Sequence, residues 1–449
     1  LHGVRKGDLK ATIRGINEAK LSTIAACGDV CRNFMACPAP IKNNSLRAEM
    51  QEMAAALAAH FRPRTSAYYE IWLKDGDTSE KVHEVVDDEE PIYGKTYLPR
   101  KFKMGIALPE DNCVDVYTQD LGFLAVVEGG RIIGYNVLPG GGMGMTPAKK
   151  VTCPAVAKRL TFVPPDQLIA VAEAIVKVQR DFGGRADRKL ARMKYLINDW
   201  GLERFKATVE EYFGAKLPEP HPADVTGVDD HMGWHEQGDG RLFLGINVDN
   251  GRIKDEGDFR LKTAVRVLLA KYPVEVRLTA LQGMILCDLE PGWRGEIESI
   301  LRDHGVPLAE NLTLTRRYAV ACPAYPTCGL AVTESERVMP EVLESIEAEL
   351  RRQDLIGERS AVHMTGCPNG CGRPYTPDSG LVGKARGKYT LYLGGSAEGT
   401  RLAFLYDDMV PQEEIPTRLA PVFAKWKAQR QAGESFGDFC HRVGKEALT

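Results

Sequence analysis

The 449-residue sequence has no strong charge of either sign and no low-complexity tract. Lysine and arginine total 58 and aspartate and glutamate 61, so the formal net charge is −3. This excludes the basic surplus typical of nucleic-acid binding. No apolar run reaches the ~18 residues that a membrane span needs. Apolar residues make up 44% of the chain and charged residues 27%, which excludes a disordered chain or a collagen-like repeat. We therefore expect a globular protein of roughly three domains without a nucleic-acid or membrane partner.

The sequence shows no secretory signal pattern, and since it opens at Leu1 rather than at a methionine, we do not read targeting from it. What the chain does have is 11 cysteines. In a long chain, that number is typical of a reduced compartment and metal chemistry rather than of disulfides. We expect a cytoplasmic location, with a plastid as the alternative if a transit peptide preceded Leu1.

Helical and strand-like patterns alternate irregularly, which predicts an α+β fold. Apolar spacing of three and four residues predicts helices at 45–60, 165–181, 202–213, 260–271, 340–352 and 415–431. Strands are predicted at 67–73, 101–108, 124–127, 242–248, 274–279 and 388–393. The Pro- and Asp-rich stretch 216–229 indicates a boundary near the middle of the chain.

Two short motifs recur in the same order in the two halves of the chain. Ala36-Cys37-Pro38-Ala39 is echoed by Ala321-Cys322-Pro323-Ala324, and each is followed by a predicted amphipathic helix. The segment 135–141, which ends in a glycine pair, is echoed by 389–395. This order predicts an internal duplication.

Four cysteines form two close pairs in loops rich in glycine and proline. Cys322 and Cys328 make a C-x5-C pattern, and Cys367 and Cys371 make C-x3-C. Four thiolates are the ligand set of a [4Fe-4S] cluster. Zinc is the main rival, although structural zinc sites use tighter cysteine pairs. Four ordinary buried thiols are the third interpretation.

The remaining cysteines carry less information. Cys27, Cys31 and Cys37 offer three thiols, one short of a cluster, and we interpret them as leftover repeat positions or plain buried cysteines. The other four are isolated in the sequence and are expected to be structural: Cys113, Cys153, Cys287 and Cys440.

Together these motifs resemble the sulfite and nitrite reductase family, whose members couple siroheme to a [4Fe-4S] cluster. The resemblance covers nearly the whole chain. It rests on the segments 28–33, 96–103, 140–146, 321–328, 365–373 and 383–384. Segment 140–146 is similar to the sulfite branch. The segments 193–197, 233–240 and 434–437 are similar to its ferredoxin-dependent members.

The resemblance implies that Cys322, Cys328, Cys367 and Cys371 bind the cluster and that Cys371 is also the axial ligand of the siroheme iron. It implies an α+β fold in three parts, with a pseudo-twofold repeat and the cofactors at the domain junction. Residues 25–225 and 311–449 would form the two repeat lobes. Residues 1–24 and 226–310 would together form a discontinuous third domain.

Sulfite is an anion that loses oxygens as water, so its site needs positive charge and protons. Lys101 and Lys103 lie two apart on a predicted strand, which places both ammonium groups on one face and Phe102 on the other. Arg32 follows a Gly-Asp turn and can offer a fixed guanidinium. With the resemblance, we expect Arg32, Lys101 and Lys103 to bind sulfite, with the lysines relaying protons.

Siroheme bears eight carboxylates, so its surroundings should be rich in cations. Candidates in the sequence are Arg100, Arg188, Arg192 and Lys194. The resemblance adds His2, Gln282 and Asn369 as residues that contact the macrocycle. Leu281 and Gly283 stand where relatives often carry asparagine. The family's further N-terminal region, with additional arginines, is not in this sequence, which is therefore either truncated or a piece with an incomplete cofactor cleft.

The leading expectation is an assimilatory sulfite reductase that receives electrons from ferredoxin as a monomer or weak oligomer. Acidic ferredoxin would meet a local patch of lysine and arginine. Three alternatives stay open. They are a nitrite reductase that forms ammonia, the hemoprotein subunit of an NADPH-dependent sulfite reductase, and a non-enzymatic iron–sulfur or zinc protein.

Overall fold

The computed structural model describes residues 4–19, 21–25, 27–64, 71–76, 78–83, 89–146, 149 and 151–448. Its helices are α1 Leu9–Glu18, α2 Ser45–His60, α3 Leu168–Phe182, α4 Met193–Trp200, α5 Leu202–Phe213, α6 Leu261–Lys271, α7 Arg294–Asp303, α8 Leu314–Arg317, α9 Met339–Arg352, α10 Ile415–Gln429 and α11 Phe436–Leu448. The predicted helices are confirmed, with ends that shift by a few residues at most.

The strands in the first half are β1 Cys31–Met35, β2 Ile71–Asp75, β3 Thr78–His83, β4 Phe102–Ala107, β5 Leu121–Glu128, β6 Arg131–Pro139 and β7 Thr161–Val163. The rest are β8 Gly233–Glu236, β9 Leu242–Ile246, β10 Asp255–Glu256, β11 Phe259–Arg260, β12 Val276–Leu278, β13 Met284–Leu289, β14 Val320–Ala321, β15 Val362–Thr365, β16 Ser379–Ala385, β17 Lys388–Leu393 and β18 Phe404–Pro411. The strand predicted at 67–73 lies mostly outside the described residues, and its described end belongs to β2.

Two five-stranded sheets share one topology. The first has the order β1-β4-β5-β6-β7 and the second the order β14-β15-β16-β17-β18. In both sheets the first three strands are parallel, and the fourth and fifth are each antiparallel to their neighbour. The predicted duplication is confirmed by this match.

The repeated motifs occupy equivalent places in the two sheets. Ala36-Cys37 follows the first strand of one sheet, and Cys322 follows the first strand of the other. The glycine pair 140–141 directly follows β6, and the pair 394–395 directly follows β17, which are the fourth strands of the two sheets. Helices α2 and α9 follow the first strands, and helices α3 and α10 follow the fifth. The duplication therefore extends to the order of the helices.

Local sequence explains why α2 forms where it does. The Asn44 side chain accepts a hydrogen bond from the backbone N–H of Arg47 at 3.2 Å, which satisfies a free donor of the first turn. Helix-favouring residues follow, and one face buries Met50, Ala54 and Leu57 in the core of the first sheet. This packing positions the loop that carries Cys37.

A third, four-stranded sheet has the order β12-β13-β9-β8 and packs with α6 and α7 around its own apolar core. The two five-stranded sheets have separate cores. The segment 214–232 joins the first sheet to the third without forming a helix or strand of its own. The domain limits given above stay a prediction. Within the described ranges, no helix combines the length and apolar character needed to cross a bilayer.

The second glycine of each repeated pair is packed directly against backbone carbonyls. A Cβ on Gly141 would lie 2.2 Å from the Gln119 oxygen, and one on Gly395 would lie 2.2 Å from the Thr376 oxygen. Real Cβ atoms do not approach backbone this closely, so both halves of the duplication require glycine at this strand end.

We expect Gly141→Ala and Gly395→Ala each to destabilise the protein by about 1–3 kcal/mol, because the backbone on both sides must shift. Chemical denaturation against wild type measures this. Gly292→Ala is the matched control, since nothing lies within 4 Å of its Cβ position. An unchanged unfolding midpoint in either repeat variant would contradict the packing argument.

Candidate functional site

A cavity of about 260 Å³ lies where the two repeat halves meet. The first half contributes Met35, Lys101, Lys103, Val114, Thr118, Gln119, Gly142, Met143, Gly144 and Arg192, and the second contributes Asn369, Gly370, Cys371 and Arg373. Ala280, from the loop that precedes β13, completes the wall. The cavity thus contains four cationic side chains and one thiol.

Direct contacts hold the Cys367–Cys371 loop against the first half. The backbone N–H of Met145 donates to the Pro368 oxygen at 3.0 Å. Gly370 has a φ of +65°, and a Cβ there would lie 3.0 Å from the Met143 oxygen. A side chain at this position would therefore both strain the loop and push the two halves apart.

A buried ion pair bridges the same junction. The Arg373 guanidinium pairs with the Asp115 carboxylate, whose side chain is only 8% exposed. Arg373 also donates to the Ala280 oxygen at 3.3 Å. Breaking such a pair leaves an uncompensated buried charge, so this contact fixes how the two halves meet.

Lys101 and Lys103 stand on the cavity side of β4, while Phe102 between them is buried in the core. In the part of the chain that the structure describes, no carboxylate pairs with either ammonium group. Burial, together with the charges of Arg192 and Lys103, holds the pKa of Lys101 below its ordinary value. These ammonium groups are therefore available to an anion.

Arg192 directly precedes α4, and its side chain lines the cavity. Its Nε donates to Asp120 Oδ1 at 2.6 Å, and the other carboxylate oxygen of Asp120 accepts from the backbone N–H of Lys103 at 3.0 Å. One carboxylate, 1% exposed, thus orients both the guanidinium and the strand that carries the lysines. Sequence reasoning missed Asp120, because its role depends on contacts far apart in the chain.

The other predicted arginines gather nearby. Burial, followed by the charge of Arg188 and more weakly those of Arg192 and Arg32, keeps the pKa of Arg100 below its usual range. Arg188 pairs with Asp29 at 2.8 Å through both carboxylate oxygens. Arg32 donates from Nε to the Gly28 oxygen at 2.6 Å. The structure therefore brings these four arginines together, although only Arg192 lines the cavity.

Lys194 and Gln282 already have protein partners. The Lys194 ammonium donates to the backbone oxygens of Gly142, Gly144 and Cys153. Burial lowers the pKa of Lys194 to about 8. Lys194 thereby supports the glycine segment that forms one wall of the cavity.

Gln282 clamps the backbone of Ala321: its Nε2 donates to the Ala321 oxygen at 2.8 Å and its Oε1 accepts from the Ala321 N–H at 2.9 Å. Ala321 directly precedes Cys322. A contact of Lys194 or Gln282 with a macrocycle stays a prediction, as does that of Asn369, which lines the cavity. His2 lies outside the described residues.

Cys371 lines the cavity, and the thiols of Cys322, Cys328 and Cys367 lie near enough to interact with it electrostatically. Cys322 and Cys367 are buried, Cys328 is half-buried, and Cys371 opens onto the cavity. The backbone N–H of Gly366 donates to Cys322 Sγ at 3.4 Å. Partial burial and the neighbouring Cys367 and Cys328 thiols raise the pKa of Cys371.

The donor set fits the two groups that the sequence suggested. Burial and neighbouring thiols raise the pKa of Cys371, and a cationic iron–sulfur core would offset both effects. A macrocycle rich in carboxylates matches a cavity with four cationic side chains. Among the described members of the two cysteine pairs, Cys371 is the one that lines the cavity.

Comparisons with known proteins agree with this chemistry. Residues 52–217 match the family model described as nitrite and sulphite reductase 4Fe-4S domain. The chain is 45% identical to the sulfite reductase (ferredoxin) of Synechococcus elongatus, over 100% of this chain and 74% of that protein. It is also 45% identical to the sulfite reductase (NADPH) hemoprotein beta-component of Geobacillus thermodenitrificans, over 99% of this chain and 77% of that protein.

Among solved structures, that of the NirA protein of Mycobacterium tuberculosis is similar, with a TM-score of 0.74 and 23% sequence identity. The similarity covers 98% of this chain and 76% of that one. At this identity the comparison supports the fold alone, and it agrees with the predicted α+β architecture.

The lowered pKa of Lys101 predicts a pH limit on anion binding. Above that pKa the ammonium is neutral, so sulfite affinity should fall before the pH reaches the ordinary lysine value of 10.5. Lys101→Arg should extend binding to higher pH, because a guanidinium stays charged, and Lys101→Ala should weaken it at every pH. Calorimetric titration with sulfite measures the profile, with Lys177→Arg on α3 as control. Identical pH profiles for wild type and Lys101→Arg would exclude Lys101 from the anion site.

Proposed function

The chain belongs to the sulfite reductase family, whose members carry siroheme and a [4Fe-4S] cluster, and from this premise we propose that it reduces sulfite to sulfide with electrons from ferredoxin. The observation that carries the proposal is the cavity that combines the Cys371 thiol with Lys101 and Lys103, which have no carboxylate partner among the described residues. A substrate anion and an electron source would meet there. The sulfide formed would be used for sulfur assimilation.

We assign the four cysteines Cys322, Cys328, Cys367 and Cys371 to the cluster, and Cys371 also to the siroheme iron. When bound, these groups supply electrons to a substrate-binding iron. The Gln282 clamp on Ala321 and the Gly366 N–H on Cys322 keep the first of these thiols in place. Cys371 is held by a loop that packs against the first half of the chain, so both centres would sit at the junction.

Lys101 and Lys103 would hold sulfite oxygens and deliver protons from their Nζ atoms as oxygen leaves as water. Burial favours proton release from Lys101, because it destabilises the charged form. Arg192, fixed by Asp120, adds a permanent charge that does not titrate. Arg32 is assigned to the same anion, although its guanidinium would have to reach it from outside the cavity lining.

Ferredoxin as donor has support from the sequence. The segments 193–197, 233–240 and 434–437 are similar to ferredoxin-dependent members. Within the first of them, Met193–Ile197 is buried in α4, so that segment marks the subfamily rather than a docking surface. Because a ferredoxin-linked and an NADPH-linked relative are equally similar, the donor is assigned on these segments alone.

Replacing one cluster ligand tests the cysteine assignment. Cys328→Ser should lose most of the bound iron and labile sulfide together with sulfite turnover, since serine is a poor ligand for this cluster. Iron analysis and the visible spectrum measure this. Cys440→Ala, at a buried thiol in α11, should keep both. Full iron content in Cys328→Ser would remove Cys328 from the ligand set.

A donor and substrate comparison tests the function itself. We expect fast sulfite reduction with reduced ferredoxin, slow reduction with NADPH plus a flavoprotein, and a ferredoxin rate that falls with ionic strength, because acidic ferredoxin meets basic residues. A viologen dye as donor shows that each preparation is active. Faster turnover with the flavoprotein would overturn the donor assignment, and a higher kcat/KM for nitrite would overturn the substrate assignment.

A further inference from the structure

A second group of metal-ligating side chains lies in the first half of the chain, apart from the cavity. It consists of Cys37, Asp111, Cys113 and His231, all four buried. One ligand atom from each residue lies within 4.8 Å of each of the others. We call these residues the buried quartet. Cys37 and Cys113 are far apart in the sequence, so their spacing predicted no site.

The duplication explains why thiols meet here. Cys37 follows β1, and Cys113 lies in the loop between β4 and β5. In the second half, Cys322 follows β14, and Cys367 lies in the loop between β15 and β16. Parallel strands bring these two loops to the same edge of the sheet in both halves. The quartet therefore occupies the topological counterpart of the cysteine site in the second half.

The spacing within the quartet suits one metal ion. A tetrahedral zinc ion with bonds of about 2.0–2.3 Å separates its ligand atoms by about 3.3–3.8 Å. Cys37 Sγ lies 3.2 Å from His231 Nε2, and the same nitrogen lies 3.2 Å from Asp111 Oδ2. A small outward movement would place these atoms at the corners of such a tetrahedron.

The charges around the quartet also balance for a divalent ion. Two thiolates and one carboxylate bring three negative charges, and a divalent cation leaves one. Arg47 supplies the remaining positive charge, donating from Nη1 to Cys37 Sγ at 2.9 Å and to Asp111 Oδ2 at 3.1 Å. A zinc ion with these ligands and Arg47 therefore leaves the buried site without net charge.

Outer contacts orient the ligands as they do in known metal sites. Asp229 Oδ2 lies 3.6 Å from His231 Nδ1, the ring nitrogen that faces away from Cys37. The backbone N–H of Cys113 donates to Asp111 Oδ1 at 3.3 Å, leaving Oδ2 for the centre of the quartet. A carboxylate behind the histidine is the usual partner of a zinc-bound imidazole.

We propose that Cys37, Asp111, Cys113 and His231 bind one structural zinc ion. Two sulfurs, one imidazole and one carboxylate form a closed four-ligand set that favours zinc over the harder magnesium and calcium ions. All four ligands are buried, so the ion enters as the chain folds and no coordination position is left for substrate. The site is structural, not catalytic.

The ion would stabilise a loop that lines the cavity. The loop that carries Asp111 and Cys113 continues into Val114, Thr118 and Gln119, which line the cavity, and Asp115, which pairs with Arg373. His231 comes from the segment that leads to the third sheet. A single ion would thus fasten this loop and the first sheet to the third sheet.

Metal analysis of the intact, cofactor-loaded protein tests the proposal. We expect about one zinc per chain after extensive dialysis against a chelator, since a closed buried site exchanges slowly. Absorption at the zinc edge should show two sulfur neighbours at about 2.3 Å and two nitrogen or oxygen neighbours at about 2.0 Å. This measurement needs no variant, so it holds even if a replaced ligand prevents folding.

Variants locate the ion. Cys113→Ser should lose the zinc while keeping the iron content, whereas Cys287→Ser, at another buried cysteine, should keep both metals. His231→Gln and His235→Gln form a second matched pair, since His235 contacts the Met232 oxygen and the Phe243 ring and is not a member of the quartet. Protein purified from zinc-containing medium without bound zinc, a Cys37–Cys113 disulfide, or zinc retained in both Cys113→Ser and His231→Gln would each overturn the proposal.

Discussion

The position of the two halves of the chain around the cavity depends on the buried ion pair between Asp115 and Arg373. Each of these residues lies in the loop between the second and third strands of its sheet, so the pair joins equivalent loops across the duplication. Neither charge has another side-chain partner of opposite sign among the described residues. Separating the two loops would leave each charge buried without a partner, which costs free energy, so the ion pair stabilises their contact. The cavity exists where they meet.

Duplication supplied two copies of the same loop edge, and the two copies have diverged. In the second half the edge carries Cys322, Cys328, Cys367 and Cys371 in glycine-rich turns beside the cavity. In the first half the equivalent edge carries the buried quartet, whereas Lys101 and Lys103 lie at the opposite, amino end of β4. Parallel strands ending at one edge place side chains from distant segments together, whichever chemistry those side chains provide.

Sequence reasoning reached the α+β class, the duplication and the helices, since these follow from local periodicity and repeated motifs. It also placed Lys101 and Lys103 on one side of a strand, because alternation fixes that geometry. It did not reach Asp120, the Asp115–Arg373 pair or the proximity of Cys37 to Cys113, because each joins segments remote in the chain. Nor did it show that Lys194 is already bonded to three carbonyl oxygens, since only tertiary packing brings those oxygens together.

The cationic side chains of the cavity affect the stability of the fold as well as the binding of an anion. Burial first, and after it the positive charges of Arg192 and Lys103, lower the pKa of Lys101. An anionic ligand bound there removes the repulsion, so it binds the folded state with a free energy that includes the relief. The residues proposed to bind the anion would thus also destabilise the folded state when no anion is bound. The same ammonium and guanidinium groups thus couple the stability of the fold to ligand occupancy. The Asp115–Arg373 pair joins the two halves of the chain, so these groups and the Cys371 loop line one cavity.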